Sequence, residues 1–348
     1  MFVIENTNSN PFNGSFTFKG QITDSTNKWA IDGTAFQHPA GQLYLIWSGW
    51  EGDVNVRQIL YIAKLSNPWT VSSQRLEIAR PIYHWETNTN PTVNEGPEVT
   101  IHNNVISLVY SASGSWTNTY CLGLVTANID ADLLNPSSWY KHPNPIFQSA
   151  NNVFGPGHHS LTTSPDGKED WIVYHSARFS GAGWTRQVRT QKFTWNADST
   201  PNLGAPVNRD TPIQIPSGDQ ARVRYEAEDA RIFNNPRVVS DPTASNQHKV
   251  GYIDYPNSLV IFTIECPTNG TYVIVIRNDN GSDGSAQATH WISINNGTAF
   301  QIPIVFSGWE SWGATMFRTS LMQGVNTLTF KKGDNFAELD EIDIFLDA

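Results

Sequence analysis

Residues 30–49 read AIDGTAFQHPAGQLYLIWSG, and the same design returns as NEGPEVTIHNNVISLVYSASG over 94–114 and GHHSLTTSPDGKEDWIVYHSA over 157–177. Each copy holds a polar residue, a short strand, a Pro, Gly or Asn turn, and an apolar strand ending in an aromatic followed by a small or polar residue. Asp32 to Glu95 is 63 residues, and Trp47 to Tyr110 is again 63. Tyr110 to Tyr174 is 64, the extra residue falling in the third turn, so His158 holds the place equivalent to Glu95. A period of this length with about four short strands per unit marks propeller blades. First strands of blades line the central axis, so residues at one phase of successive blades converge. Asp32, Glu95 and His158 are therefore expected around one axial pocket. The plain alternative makes them turn residues opening each blade; Asp suits that role, while Glu before Gly-Pro and His after Gly-Pro-Gly suit it less.

Outward from these copies, helical periodicity is nearly absent. Strands such as QILYIAKLS (58–66) and RQVRTQKFTW (186–195) are punctuated by Pro, Gly, Asn and Asp. The repeats close in the Pro/Gly/Asn-rich stretch 201–220, and a new pattern of strands without blade period runs from ARVRYEAEDA (221–230) to LDEIDIF (339–345). The expectation is an all-β chain: a β-propeller domain over 1–218 and a β-sandwich of jelly-roll type over 222–348.

Bulk properties narrow the partners. The 348 residues carry a net charge of −10 with only 16% charged. That excludes the basic face nucleic acid demands and suits a neutral ligand such as a polysaccharide. No apolar run approaches the roughly 20 residues of a membrane span. The 13 Trp, 11 Tyr and 17 Phe are flat surfaces for sugar rings and equally ordinary core material in β-proteins. Cys121 and Cys266 lie in apolar strands of different domains and are expected as buried thiols. The opening MFVIENTNSNPF shows no leader pattern, so the sequence itself leaves the compartment unknown.

Two acids meeting in an axial pocket point to glycoside hydrolysis. WAIDGTAF (29–36), VNEGPEV (93–99), GPGHHS (155–160) and the R-x-x-R-x-Q-x-F-x-W run from Arg186 resemble glycoside hydrolase family 43. These are five-bladed propeller enzymes of arabinofuranosidase, xylosidase and arabinanase type. The resemblance covers most of 10–206. It implies inverting hydrolysis of α-L-arabinofuranosyl or β-xylosyl linkages in plant arabinan or arabinoxylan, outside the cell and without an organic cofactor. By position, Glu95 resembles the general acid and Asp32 the aspartate that tunes it by like charge. His158 matches a histidine that helps hold an axial calcium through water. Arg186 matches an arginine reaching the sugar, with Arg189 the competing choice. Trp29, Trp47, Trp50, Trp85 and Trp116 are candidate pocket walls.

The family's third acid, an aspartate that activates water near the start of blade one, finds no counterpart. MFVIENTNSNP aligns with YIAKLSNP, the third strand of a blade, which puts the opening blades ahead of residue 1. Asp24, in a turn, is the only acid nearby. Two consequences are expected: self-association to cover open propeller edges, and a catalytically impaired glycan-binding protein as the alternative to an enzyme.

In the second domain, YEAEDA (225–230), the run 251–281 and LDEIDIF resemble carbohydrate-binding modules of families 6 and 35. That resemblance implies a structural calcium on Glu226, Glu228 and Asp340, oxygen ligands of the kind calcium prefers. It also implies sugar contacts from Trp309, Trp312, Tyr252 and Asn335.

Overall fold

The computed structural model describes residues 1–10, 14–208, 211, 213–219, 221–282 and 286–347. The chain divides into two units, Met1–Asp219 and Gln220–Ala348. No described helix is long and apolar enough to cross a membrane.

In the first unit, β1 (Phe2–Glu5) and β2 (Thr17–Gln21) pair as an antiparallel ribbon. One blade follows as β3 (Ala30–Gln37), β4 (Leu43–Gly49) and β5 (Arg57–Asn67), with short β6 (Thr70–Val71) and β7 (Leu76–Ala79) along β5. The next is β8 (Thr92–His102), β9 (Val105–Ala112), β10 (Cys121–Asn128) and β11 (Tyr140–Lys141). A further blade comprises β12 (Phe154–Thr163), β13 (Asp170–Ala177), β14 (Arg186–Trp195) and β15 (Pro201–Asn202). Each is a sequential antiparallel meander, and a short parallel pairing of β5 with β8 joins the first two.

Strand alternation explains why the blades stack as a propeller. Ile106, Leu108 and Tyr110 of β9 pack with Ile46, Leu60 and Ile62 of the preceding blade. Val109, on the other face, joins Leu122 and Leu124 against Ile172 and Tyr174 of the following blade. A strand buried on both faces must be apolar at successive positions, as VISLVY is. Each fully buried Leu or Ile here stabilises the stack by about 1.5–3 kcal/mol.

All three inner strands break register at the same level. Pairing skips Asp32 and Gly33 in β3, Gly96 and Pro97 in β8, and His158 and His159 in β12. Asp32, Gly96 and His158 take left-handed φ angles of 56°, 51° and 48°. A bulge bends its strand and re-aims the side chains beside it. The counterpart of Asp32 and His158 is thus Gly96. Glu95 stands one residue earlier, where the other blades have Ile31 and Gly157, which corrects the equal spacing read from the sequence.

The second unit is a β-sandwich. Its strands are β16 (Val223–Glu226), β17 (Arg231–Phe233), β18 (Arg237–Ser240), β19 (His248–Gly251), β20 (Leu259–Cys266) and β21 (Gly270–Asn280). They continue as β22 (Ala288–Ile294), β23 (Phe300–Ile304), β24 (Gly308–Leu321), β25 (Gly324–Lys332) and β26 (Glu338–Leu346). One sheet has the order β18-β19-β26-β21-β24 with β16 on β26; the other is β17-β20-β25-β22-β23. Ile274, Ile276, Ile342 and Ile344 face Val260, Phe262, Leu328 and Phe330 across the core. Cys121 and Cys266 are free and buried.

Candidate active site

The bulges gather Asp32, Glu95 and His158. The Gly96 N–H donates to Asp32 Oδ2 at 3.0 Å, and the His158 N–H donates to Ser111 Oγ at 2.8 Å. Each bulge is thereby tied to the blade before it. His158 Nε2 lies 3.9 Å from Asp32 Oδ1. The Glu95 carboxyl is held above the ordinary carboxylate range, first by burial and then by the negative charge of Asp32. A hydrogen bond from Tyr120 and the His158 ring pull the other way. Burial and like charge both favour the neutral acid.

Two residues of this site carried no signal in the sequence reading. Tyr120 is fully buried, and its hydroxyl donates to Glu95 Oε1 at 2.7 Å and lies 3.5 Å from His158 Nδ1. A Cβ at Gly157 would collide with the Tyr120 ring, so glycine is what lets tyrosine reach the carboxyl. His175 stacks on Tyr120 with centroids 5.8 Å apart and accepts from Arg186 Nε at 3.0 Å. Burial, with Arg186 adding to it, pushes His175 down to about 4; it is a neutral acceptor at pH 7. His175 pairs with Gly157 as Ser48 pairs with Ile31 and Ser111 with Glu95. That register is the signal that could have found it: a histidine where the earlier copies have serine.

Arg186 also donates to the Gly155 carbonyl, while its buried Nη1 has no hydrogen-bond partner among the described residues. Arg189 instead holds the Val207 carbonyl at 2.7 Å. Trp29, partly exposed, stacks on Trp50 at 4.7 Å, and Trp116 leans on the exposed Trp184 at 5.8 Å. Trp47 is a core residue. It is 3% exposed and packs with Tyr61, because β4 is buried along nearly its whole length. Trp85 is likewise engaged, its Nε1 donating to the Pro143 carbonyl. Asp24 accepts from Thr26 at 2.8 Å and lies 3.8 Å from Arg75.

In the second unit, Trp309 is half-exposed and lies over Gly281, where a Cβ would collide with the indole. Trp312 donates to Thr243 Oγ1 at 3.0 Å, with Lys249 and Arg277 over its ring. Beneath them, Lys249 Nζ bridges Asp241 at 3.0 Å and Glu338 at 2.7 Å, and Asp279 accepts from the Glu310 N–H at 2.8 Å. Tyr252 and Asn335 are held separately, under the Arg237 guanidinium and on the Gln287 carbonyl. Tyr252, Glu310 and Asn335 all take left-handed φ angles, of 61°, 59° and 53°. Among the expected calcium ligands, Glu226 Oε2 and Glu228 Oε2 are buried with no hydrogen-bond partner among the described residues. Asp340 is already engaged by the Ser245 N–H and Arg277. Among the described residues, no group of three or more His, Cys, Asp and Glu is arranged to hold a metal ion.

Residues 1–201 match the family described as Glycosyl hydrolases family 43. The chain is 41% identical over 226 residues to a Streptomyces avermitilis protein named extracellular exo-alpha-(1->5)-L-arabinofuranosidase, covering 62% of this chain and 46% of the relative. It is 40% identical over 224 residues to alpha-L-arabinofuranosidase 43 of Humicola insolens, with the same coverages of 62% and 46%. The crystal structure of an alpha-L-arabinofuranosidase from Lactobacillus brevis aligns with a TM-score of 0.57 at 37% identity, over 61% of this chain and 67% of that one. The chain thus spans about half the length of these curated relatives.

Proposed function

The chain belongs to glycosyl hydrolase family 43, and from that premise we propose a glycosidase whose first unit cleaves α-L-arabinofuranosyl linkages of plant polysaccharide by inverting hydrolysis. One observation carries the reading: Glu95 is mostly buried and held above the ordinary carboxyl range, with the Asp32 charge beside it. A general acid must enter the reaction carrying its proton. Glu95 gives that proton to the glycosidic oxygen as the bond to the leaving group breaks. Tyr120 orients the carboxyl. Arg186 Nη1, a buried donor with no hydrogen-bond partner among the described residues, takes a sugar hydroxyl. Trp29 and Trp116 offer the exposed ring faces.

Inversion also needs a carboxylate that activates water on the opposite face of the sugar. Among the described residues, the charges acting on Glu95 are those of Asp32 and His158, and Asp24 is bound elsewhere. The alternative reading is a glycan-binding protein with impaired catalysis. Arabinose release from arabinan and from an aryl α-L-arabinofuranoside separates the two. The enzyme reading expects turnover by the pure protein and a loss of about 10²–10⁴-fold in Glu95→Gln. No release by the unaltered chain removes it, and release indifferent to the substitution removes Glu95 as the acid.

For the second unit we propose glycan binding of the family 6 and 35 kind, through Trp309, Trp312, Tyr252 and Asn335. Calcium there would use the unpartnered oxygens of Glu226 and Glu228 and would staple the start of the unit; Asp340, already paired, fits the role poorly. A calcium ion at the propeller axis would be held through His158, whose side chain is 44% exposed; when bound it supplies positive charge beside Asp32. The Streptomyces avermitilis relative is named extracellular, and we place this chain outside the cell on that likeness.

A further inference from the structure

β11 follows a simple in-out pattern with firm anchors. Trp139, 9% exposed, sits in the core and donates from Nε1 to the Leu133 carbonyl at 3.0 Å. Lys141 turns inward to the fully buried Glu86 at 2.6 Å. Tyr140, between them, has nowhere to go but outward, and is 61% exposed. The His142 ring meets it edge-on at 4.9 Å and 69°, and lies 3.3 Å from Thr126 Oγ1 through Nε2. Opposite these rings stands Asp198, whose Oδ1 accepts both the N–H and the hydroxyl of the buried Thr200, at 3.1 and 2.6 Å. Both of these bonds fall on one oxygen of the carboxylate, Oδ1.

Together these groups border a cavity of about 360 Å³, within the range of small-ligand sites. It is not the axial pocket. β8 carries Glu95 near its start, and the cavity begins beyond its far end, at Val105; the intervening stretch of strand spans roughly 20 Å. Burial lowers the affinity of His142 for a proton, so the lining is neutral apart from one carboxylate. Anions are disfavoured. An exposed aromatic ring beside hydroxyl and carboxylate acceptors matches one ligand chemistry: a neutral sugar, with an apolar face for the ring and hydroxyls for the acceptors.

We propose that Tyr140, His142 and Asp198 form a second, non-catalytic saccharide site on the end of the first unit opposite the axial pocket. It would give a polymeric substrate a foothold there. The choice of probe rests on the reading of the axial site; the cavity does not.

The test is calorimetric titration of the full chain with arabinotriose and with xylotriose. Glu95→Gln prevents turnover, and Trp309→Ala with Trp312→Ala silences the aromatic loop of the second unit. On that background, Tyr140→Ala and Asp198→Ala should each remove one binding site, or weaken it at least five-fold; Tyr140→Ala should do so without lowering the melting temperature, whereas Asp198→Ala also releases the buried Thr200 and lowers it. A site surviving Arg186→Ala but lost in Tyr140→Ala supports the proposal, even where the axial reading fails. Unchanged stoichiometry and affinity in both Tyr140→Ala and Asp198→Ala, or no binding of either sugar on the background, overturns it.

Discussion

The two units each bury carboxylates whose protons are held unusually tightly, but they surround them differently. Glu95 faces another carboxylate and a half-exposed histidine, and its hydrogen-bond partner is a neutral tyrosine. Asp279 and Asp340, both pushed up to about 7 mainly by burial, sit beside the cations Lys249 and Arg277 respectively. In the first unit the perturbation comes with an opening and with uncompensated charge. In the second, like charge acts as well, from Glu338 on Asp279 and from Glu341 on Asp340, but it is offset by Lys249 and Arg277, in ion-paired clusters that hold the Trp309–Trp312 loop. A shifted carboxyl is therefore not by itself a mark of catalysis; what its neighbours leave open decides.

Exchanging substitutions between the regions is the strongest way to break this contrast. Glu95→Gln should abolish most turnover and hardly change the melting temperature. Asp279→Asn should leave turnover unchanged and alter stability. If Asp279→Asn lowers the rate as Glu95→Gln does, the division between the two clusters fails.

Gly157→Ala should come next in size. The added methyl displaces Tyr120, so both the rate and the stability of the first unit fall, the latter by about 1–3 kcal/mol from overpacking. An unaffected urea midpoint would mean that Tyr120 is not confined as described.

The pH dependence of stability sharpens the contrast further. Asp279 has an ordinary value of 3.8 and about 7 in the folded unit. The folded state binds this proton more tightly than the unfolded chain. Its contribution to stability is therefore complete below about pH 4 and lost as pH rises through about 7. Asp279→Asn should flatten that decline in urea titrations across the window, with Asp340, Glu226 and Glu341, whose carboxyls burial also pushes up, contributing to what remains; an identical slope in the variant would contradict the assignment.

The smallest effect is expected from Tyr120→Phe. Its hydroxyl lowers the proton affinity of Glu95, so removing it should move the alkaline limb of the rate profile upward. A hydrogen bond worth about 1 kcal/mol corresponds to about 0.7 pH unit. A shift downward would reverse the role given to Tyr120.

The contrast also explains what could be read from the chain alone. Blade strands announce themselves because a strand packed on both faces must be apolar throughout, and a turn must follow; VISLVY and LYLIWSG carry that pattern openly. The same density misled the reading of Trp47, since aromatic residues of a doubly buried strand look like pocket walls. The off-by-one at Glu95 is hidden because the hairpins between the inner strand and the next differ in length from blade to blade: Thr34 pairs with Ile46, Glu98 with Val109 and Ser160 with Val173. Tyr120 and His175 come from outside the inner strands, and their contact with Glu95 and Arg186 depends on a missing side chain at Gly157 and on strand register. In the sandwich, Trp309, Trp312, Tyr252 and Asn335 follow from the resemblance to carbohydrate-binding modules, with the Gly/Ser-flanked loop supporting the two tryptophans. The Lys249 cluster beneath the two tryptophans draws on β19, β21 and β26, which lie far apart in the chain.

The measurement closest to the heart of this account is a ¹³C NMR titration of the Glu95 side-chain carboxyl, assigned through its loss in Glu95→Gln, in the unaltered chain and in Asp32→Asn. The account expects a midpoint above that of an ordinary glutamate, and a clear fall once the neighbouring charge is gone. An ordinary midpoint, or one that ignores the replacement of Asp32, would mean that the two carboxyls do not act as a pair.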